Sequence, residues 1–141
     1  MSTRRLDFYV AITPVGKARA RVTKTGHTYT PDATMKAEAD VQWAFKAAFP
    51  GHVTHDGPLT ILVLATFVVP KSWSKKKRAA ALAGTLRHTS KPDADNVLKL
   101  VKDALNMVAY TDDSAIYDAH VMKCYGDTAG LSVLLGLEVG T

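Results

Sequence analysis

The sequence has a single cysteine, Cys124, and no apolar run of the length that a membrane helix needs. One cysteine excludes an internal disulfide bond and is typical of proteins from a reducing compartment. A membrane-spanning helix takes about 18 consecutive apolar residues, and no stretch of this chain approaches that length. We therefore expect a cytoplasmic protein.

The N-terminal segment resembles a secretion signal only in part. Arg4 and Arg5 precede an apolar run, as basic residues do in a signal peptide. Asp7, Pro14 and Lys17 then interrupt the run that such a signal requires. We expect the mature protein to start at the first residue.

Acidic residues are missing from residues 71–91, and residues 126–141 contain no Lys or Arg. The chain has a formal net charge of +5 and a pI of about 9.4. Its positive charge is concentrated in residues 1–30 and 71–91. Segregated positive charge favours a polyanionic partner such as nucleic acid. The alternative is a solvated surface that keeps the protein soluble.

The 141 residues are 47% apolar, which is typical of a globular protein with a real core. Because we find neither an internal repeat nor a low-complexity linker, we predict a single domain over residues 1–141.

Hydrophobic periodicity predicts an α+β fold in which helices pack on a mixed β-sheet. A long basic loop follows the first strand and includes a short ribbon turning at Gly26. The run LTILVLATFVV is predominantly apolar in both alternating sets of positions, which predicts a strand buried on both faces. Strands are predicted at 6–12, 59–69, 115–124 and 131–139, and helices at 31–49, 75–82 and 96–107.

Two acidic pairs flank the third predicted helix: Asp93 with Asp95, and Asp112 with Asp113. In an extended segment, residues two apart point to the same side. Lys99 follows Asp95 by four residues and lies one helical turn from it. We expect the second pair to return beside Asp93.

Carboxylates that are brought together repel one another unless one binds a proton or a cation sits among them. Oxygen ligands without His or Cys companions suit Mg²⁺ or Mn²⁺, which promote phosphodiester cleavage. A nearby lysine can stabilise charge in the transition state. The alternative is structural: Asp-Xaa-Asp-Asn often caps a helix, and Asp-Asp-Ser is a common turn sequence.

Several segments resemble one known family. KPDADNVLK (91–99), DALN (103–106) and YTDDS (110–114) resemble the core of the RusA-type Holliday junction resolvases, which are phage- and prophage-borne endodeoxyribonucleases. PVGKARAR (14–21) and TYTP (28–31) resemble the family's basic N-terminal segment.

The resemblance implies a homodimeric, Mg²⁺- or Mn²⁺-dependent α+β endonuclease. It implies that the enzyme resolves four-way junctions by paired symmetric nicks in DNA recombination and repair. The implied metal ligands are Asp93, Asp95 and Asp113, with Lys99 completing the catalytic set. Supporting roles are implied for Asn96, Asp103 and Asp112.

DNA contacts are expected from the two basic regions. The family often has a basic tract just before its first aspartate, where this chain has RHTSKP (87–92), so the cluster 75–78 is expected to supply part of that charge. The expected contacts are Lys17, Arg19, Arg21, Lys24, Lys75, Lys76, Lys77, Arg78 and Lys91.

Two other functions stay open at this point: a flap or branched-DNA nicking nuclease, and a junction-binding protein without catalysis. The expected partners are branched DNA and a second copy of the chain, without a membrane or a small-molecule cofactor. The expected location is the cytoplasm of a bacterial host, with phage or host origin of the gene left open.

Overall fold

The structure, a computed structural model, describes residues 2–140 and contains a four-stranded sheet and a separate two-stranded ribbon. A short 3-10 turn, Asp113–Ala115, directly precedes the fifth strand. The elements in chain order are β1 (Ser2–Val10), β2 (Arg21–Val22), β3 (Thr28–Tyr29), α1 (Asp32–Ala48), β4 (Leu59–Val68), α2 (Lys75–Ala83), α3 (Ala94–Leu105), β5 (Ile116–Gly126) and β6 (Gly130–Val139).

The main sheet has the strand order β1-β6-β4-β5. β4 and β5 pair in parallel, whereas β6 runs antiparallel to both β1 and β4. The parallel pair requires a crossover connection, which contains α2 and α3. This architecture confirms the prediction of an α+β fold with a mixed sheet, and it leaves β5 at one edge.

The ends of several elements differ from the sequence-based expectation. β1 begins at Ser2 because its polar first residues pair with β6, in a register that joins Ser2 to Val139. No alternation of apolar residues before Leu6 could have signalled this extension. The ribbon does turn at Gly26, whose φ of 87° suits glycine.

The core lies between one face of the main sheet and the helices. Alternate residues of β4, such as Ile61 and Val63, are buried against Phe45 of α1 and Val101 of α3. Phe45 also meets Phe8 of β1 edge to face, with ring centroids 5.4 Å apart. Helix α3 therefore has its apolar side fixed by the core, and its polar side faces solvent.

The opposite face of the sheet is open. Leu62, which alternates with the buried residues of β4, is 44% exposed, and Met122 on β5 is 57% exposed. The prediction that strand 59–69 is buried on both faces is therefore wrong for this chain, because the core residues of the helices contact only one face. Within residues 2–140, no helix combines the length and hydropathy needed to cross a membrane.

Candidate active site

Asp93 and Asp95 lie at the start of α3, and both are exposed. Asp93 is the N-cap residue, with φ −65° and ψ 146°, yet its side chain makes no capping hydrogen bond. Its main-chain carbonyl instead accepts hydrogen bonds from the N–H groups of Asn96 and Val97, each at 3.1 Å. The carboxylate of Asp93 is therefore not used to cap the helix.

The helix begins two residues earlier than the sequence indicates. Asp95 lies in its first turn, so the pair does not form the extended segment that was expected. The N-terminal end of a helix carries partial positive charge, which favours two carboxylates at this position.

A groove of about 490 Å³ adjoins Asp93 and separates it from the loop Pro14–Ala18. The N–H of Lys17 donates to the carbonyl of Asn96 at 2.8 Å, which fixes this loop against α3. A Cβ at Gly16 would lie 2.9 Å from Cβ of Asn96 and 3.1 Å from Cβ of Pro92. The loop approaches the helix so closely because residue 16 has no side chain.

An ionic network runs from α1 across this loop to α3. The ammonium of Lys17 lies 2.5 Å from Oε1 of Glu38 and 3.4 Å from Oδ2 of Asp103. Lys99 contacts the same oxygen of Asp103, also at 3.4 Å. Asp103 therefore links the two lysines, and Lys99 itself stays 62% exposed.

The charge of Lys17 is partly balanced inside this network. Partial burial opposes its charge, but the hydrogen bond to Glu38 and the negative charges of Glu38 and Asp103 raise the pKa of its ammonium. Lys17 was expected to contact DNA, and the structure places it in internal ion pairs.

The second acidic pair lies near the other end of α3. Asp112 caps the 3-10 turn, since its Oδ1 accepts from the N–H of Ser114 at 3.1 Å. This hydrogen bond, followed by one that involves Asp113, lowers the pKa of Asp112. The turn-forming alternative therefore describes Asp112 well.

Asp113 is tied to the C-terminal end of α3. Its N–H donates to Oδ1 of Asn106, the residue that ends the helix, at 3.0 Å. Tyr110 lies nearby and donates to the carbonyl of Lys102 at 2.7 Å. Burial raises the pKa of Tyr110, and the negative charges of Asp113 and Asp103 raise it further.

Asp93 and Asp113 are therefore separated by the length of α3. Asp93 and Asn106 are the caps at the two ends of α3, and the thirteen residue steps between them, at 1.5 Å each, span about 20 Å. Within the described part of the chain, no three His, Cys, Asp or Glu side chains are close enough to share a metal ion. This arrangement corrects the expectation that the second pair returns beside Asp93.

The acidic pair at the start of α3 suits a divalent cation. Asp93 and Asp95 offer hard oxygen ligands at one helix end, which suits Mg²⁺ or Mn²⁺ because these ions bind through one or two carboxylates and complete their shell with water or phosphate. A site with all three predicted ligands does not fit within a single chain.

Apart from Lys17, the expected DNA-contacting residues lie in two regions of the surface. Arg19, Arg21 and Lys24 lie on or beside the ribbon β2–β3, every residue of which is exposed. Lys91 is exposed and lines the groove next to Asp93. The ribbon and the groove thus offer cations that solvent or phosphate can reach.

Helix α2 provides the other region. Ser74 caps it, accepting from the N–H of Lys77 at 3.2 Å. Lys77 lies over the ring of Trp73, 4.0 Å from its centroid, and Arg78 donates to a main-chain carbonyl. Lys75 and Lys76 are exposed.

Two residues near the site gave no functional signal in the sequence. The ammonium of Lys123 on β5 donates to the carbonyls of Ser90 and Pro92 at 2.7 and 2.9 Å. His88 stacks on Phe67, with ring centroids 3.8 Å apart. Lys123 lies on the same side of its strand as the apolar residues Ala119 and Val121. This alternation was the one sign in the sequence that its side chain faces inward.

The fold and the site define an α+β protein with an exposed acidic pair beside a groove and cationic loops. A family model described as Endodeoxyribonuclease RusA matches residues 11–135, and the protein belongs to this family. It is also 44% identical over 81 residues to Uncharacterized protein YqaN of Bacillus subtilis (strain 168). That match covers 56% of this chain and 57% of the relative, so the chain spans just over half of YqaN.

Proposed function

We propose that the protein is a Mg²⁺-dependent, structure-selective endodeoxyribonuclease that resolves four-way DNA junctions by paired nicks. Membership of the RusA family supports this activity. The observation that carries it is the Asp93 carboxylate, which is exposed at a helix start, makes no capping hydrogen bond, and borders a groove with lysines on its rim.

Asp93 and Asp95 hold the divalent cation in this proposal. A bound Mg²⁺ supplies charge neutralisation at the scissile phosphate and polarises a water molecule. Lys99 lies one helical turn from Asp95 and is largely exposed, so its ammonium can approach a phosphate oxygen. Asp103 restrains Lys99 from the next turn and keeps it directed along the same side of α3.

The exposed cations bind the phosphate backbone without reading base sequence. The ribbon, the exposed lysines of α2 and Lys91 are the contacts that we propose. Lys17 has a different role, because its ammonium is already paired with Glu38 and Asp103.

We further propose that two chains form a symmetric dimer in which Asp113 of one chain completes the metal site of the other. A four-way junction has two-fold symmetry, and a C2 dimer offers one site to each of two opposing strands. The separation of Asp93 and Asp113 within a chain supports a site shared between chains.

The edge strand β5 supports one arrangement of this dimer. β5 starts just after Asp113 and runs toward Lys123, which holds the loop before Asp93. Antiparallel pairing of β5 with its copy would bring the start of each strand toward the end of the other. Packing through the open sheet faces would instead leave both α3 helices on the outside, because each helix covers the opposite face of its sheet. Two stacked sheets, about 10 Å apart, would then lie between the helices.

Cleavage of a synthetic four-way junction at low salt tests the activity. Wild-type protein with Mg²⁺ or Mn²⁺ should produce paired, symmetric nicks that strand-resolved mapping can locate. Asp93→Asn should keep junction binding and lose cleavage, because the change removes a ligand charge and preserves size.

The control substrates separate the alternatives. Faster cutting of a flap than of the junction, or scattered nicks, would contradict junction resolution and indicate a branched-DNA nicking nuclease. Tight junction binding by wild type, with no cutting in either metal, would indicate a binding protein without catalysis.

A further inference from the structure

Lys123 connects the edge strand β5 to the loop that ends at Asp93. Its ammonium donates to the carbonyl of Ser90 at 2.7 Å and to that of Pro92 at 2.9 Å. Pro92 directly precedes Asp93 and has no N–H with which to anchor itself. The carbonyls of Ser90 and Pro92 are thus held by a side chain from another element, the strand β5.

The position of Lys123 on the sheet is unusual for a lysine. It pairs with Ala65 of β4, which is fully buried, so its side chain points to the helix-covered face of the sheet. Within residues 2–140 its ammonium makes no ion pair with a carboxylate. Its charge is directed at main-chain dipoles, and hydrogen bonds from a charged donor are stronger than neutral ones.

Two further contacts hold the same loop. His88 stacks on Phe67 within 13° of parallel and lies 5.1 Å from the ring of Tyr125. On the other side, the loop around Gly16 packs closely on Pro92. The loop is thus held from three directions, and Lys123 acts on the carbonyls of Ser90 and Pro92, the second of which directly precedes Asp93.

We infer that Lys123 is a positioning residue for the metal site, which fixes the segment Ser90–Pro92 so that the Asp93 carboxylate is presented beside Asp95. The inference rests on the proposed function, since it assigns Lys123 a part in that same site. Groups that orient metal ligands commonly change metal affinity or activity by about 10- to 100-fold when they are removed.

Mn²⁺ binding to the metal-free 141-residue protein, followed by electron paramagnetic resonance, tests the inference without requiring catalysis. Lys123→Met should weaken Mn²⁺ binding by about tenfold, at the lower end of the range for groups that orient ligands. Lys123→Arg, which can still donate to two carbonyls, should restore most of the affinity. Lys36→Met removes an equal charge from an exposed position on α1 and should leave Mn²⁺ affinity unchanged.

Junction cleavage at increasing Mg²⁺ gives a second readout. The Lys123→Met protein should need more Mg²⁺ for half-maximal cutting and should approach the wild-type rate at saturation. If Lys123→Met does not fold, Lys123→Gln, which keeps one amide donor group, takes its place in both measurements.

The possible failures are distinguishable. A wild-type protein that neither binds Mn²⁺ nor cuts a junction contradicts the proposed function itself. A wild type that does both, with a folded Lys123 variant of equal Mn²⁺ affinity, overturns the inference about Lys123. Weaker junction binding in EDTA with unchanged Mn²⁺ affinity also overturns it, because Lys123 would then be a DNA contact.

Discussion

Two inactive variants, Asp93→Asn and Asp113→Asn, should restore strand cutting when their subunits are mixed. In the proposed dimer, each metal site takes Asp93 from one chain and Asp113 from the other. A mixed dimer then has one site with both substitutions and one site with neither. The intact site should nick one strand of a junction.

The structure provides the reason to expect this result. Asp113 is bonded to Asn106 at the end of α3, and the helix that separates it from Asp93 spans about 20 Å. Two carboxylates that bind one Mg²⁺ each lie about 2 Å from the ion. A gap of that size cannot be closed by side-chain rotation within one chain.

The expected magnitude follows from random assortment of subunits. Equal mixing gives mixed dimers as roughly half of the total, each with one of its two sites intact, so nicking should reach roughly a quarter of the wild-type rate. Full resolution needs two nicks in opposing strands. The mixture should therefore accumulate nicked junctions and form few resolved duplexes.

The assay mixes the two proteins, allows subunit exchange, and separates nicked from resolved junctions by gel electrophoresis. Asp93→Asn mixed with Asp95→Asn is the matched control, because both changes fall in the same half of each site and no intact site can form. If the first mixture cuts no better than its components, although subunit exchange is demonstrated, the shared site is refuted.

Two further predictions concern the surroundings of the site. Gly16→Ala should destabilise the protein by about 1–3 kcal/mol on thermal unfolding, because its Cβ would meet Asn96 at 2.9 Å; unchanged stability would show that the loop moves aside easily. Burial, followed by the charge of Lys123, lowers the pKa of His88 below its ordinary value of 6.5. The folded state therefore favours the neutral ring, and stability should be complete above about pH 6.5 and fall as the pH drops through the lowered pKa. Between pH 7 and pH 5, the unfolding temperature of His88→Phe should therefore fall less than that of the wild type. An equal fall in both proteins would contradict this role.

Much of the fold could be predicted from local patterns. The stripe of apolar residues on α3 includes Val97, Val101 and Ala104, and all three are buried as the helical period indicates. The burial of β4 on one face only could not be predicted in the same way. Leu62 is as apolar as its buried neighbours, and only the arrangement of the helices decides which side of the strand is covered.

The candidate site shows a similar division between local and long-range information. Asp93, Asp95 and Lys99 are neighbours along one helix, so their relation follows from the helical repeat. The ion pair of Lys17 with Glu38 joins residues 21 positions apart, and the contact of Lys123 with Pro92 joins residues 31 apart. Neither contact has a local pattern, since each depends on how the loop before β2 and the strand β5 pack around α3.

The distance between the two acidic pairs bears on how the dimer and the chemistry are connected. If each chain held all of its ligands at one end of α3, a single chain could bind the metal, and the dimer would serve only to place two sites on one junction. Because α3 instead separates Asp93 from Asp113, the same helix that orders the Asp93–Asp95 pair also prevents a complete three-carboxylate site in one chain. Pairing through β5 would bring Asp93 of one chain to Asp113 of the other, at both sites of the dimer. One metal site would then form only when the second site forms with it. Such coupling suits the proposed resolution of a junction by two nicks, because a lone chain would be unable to leave a single nick in other DNA.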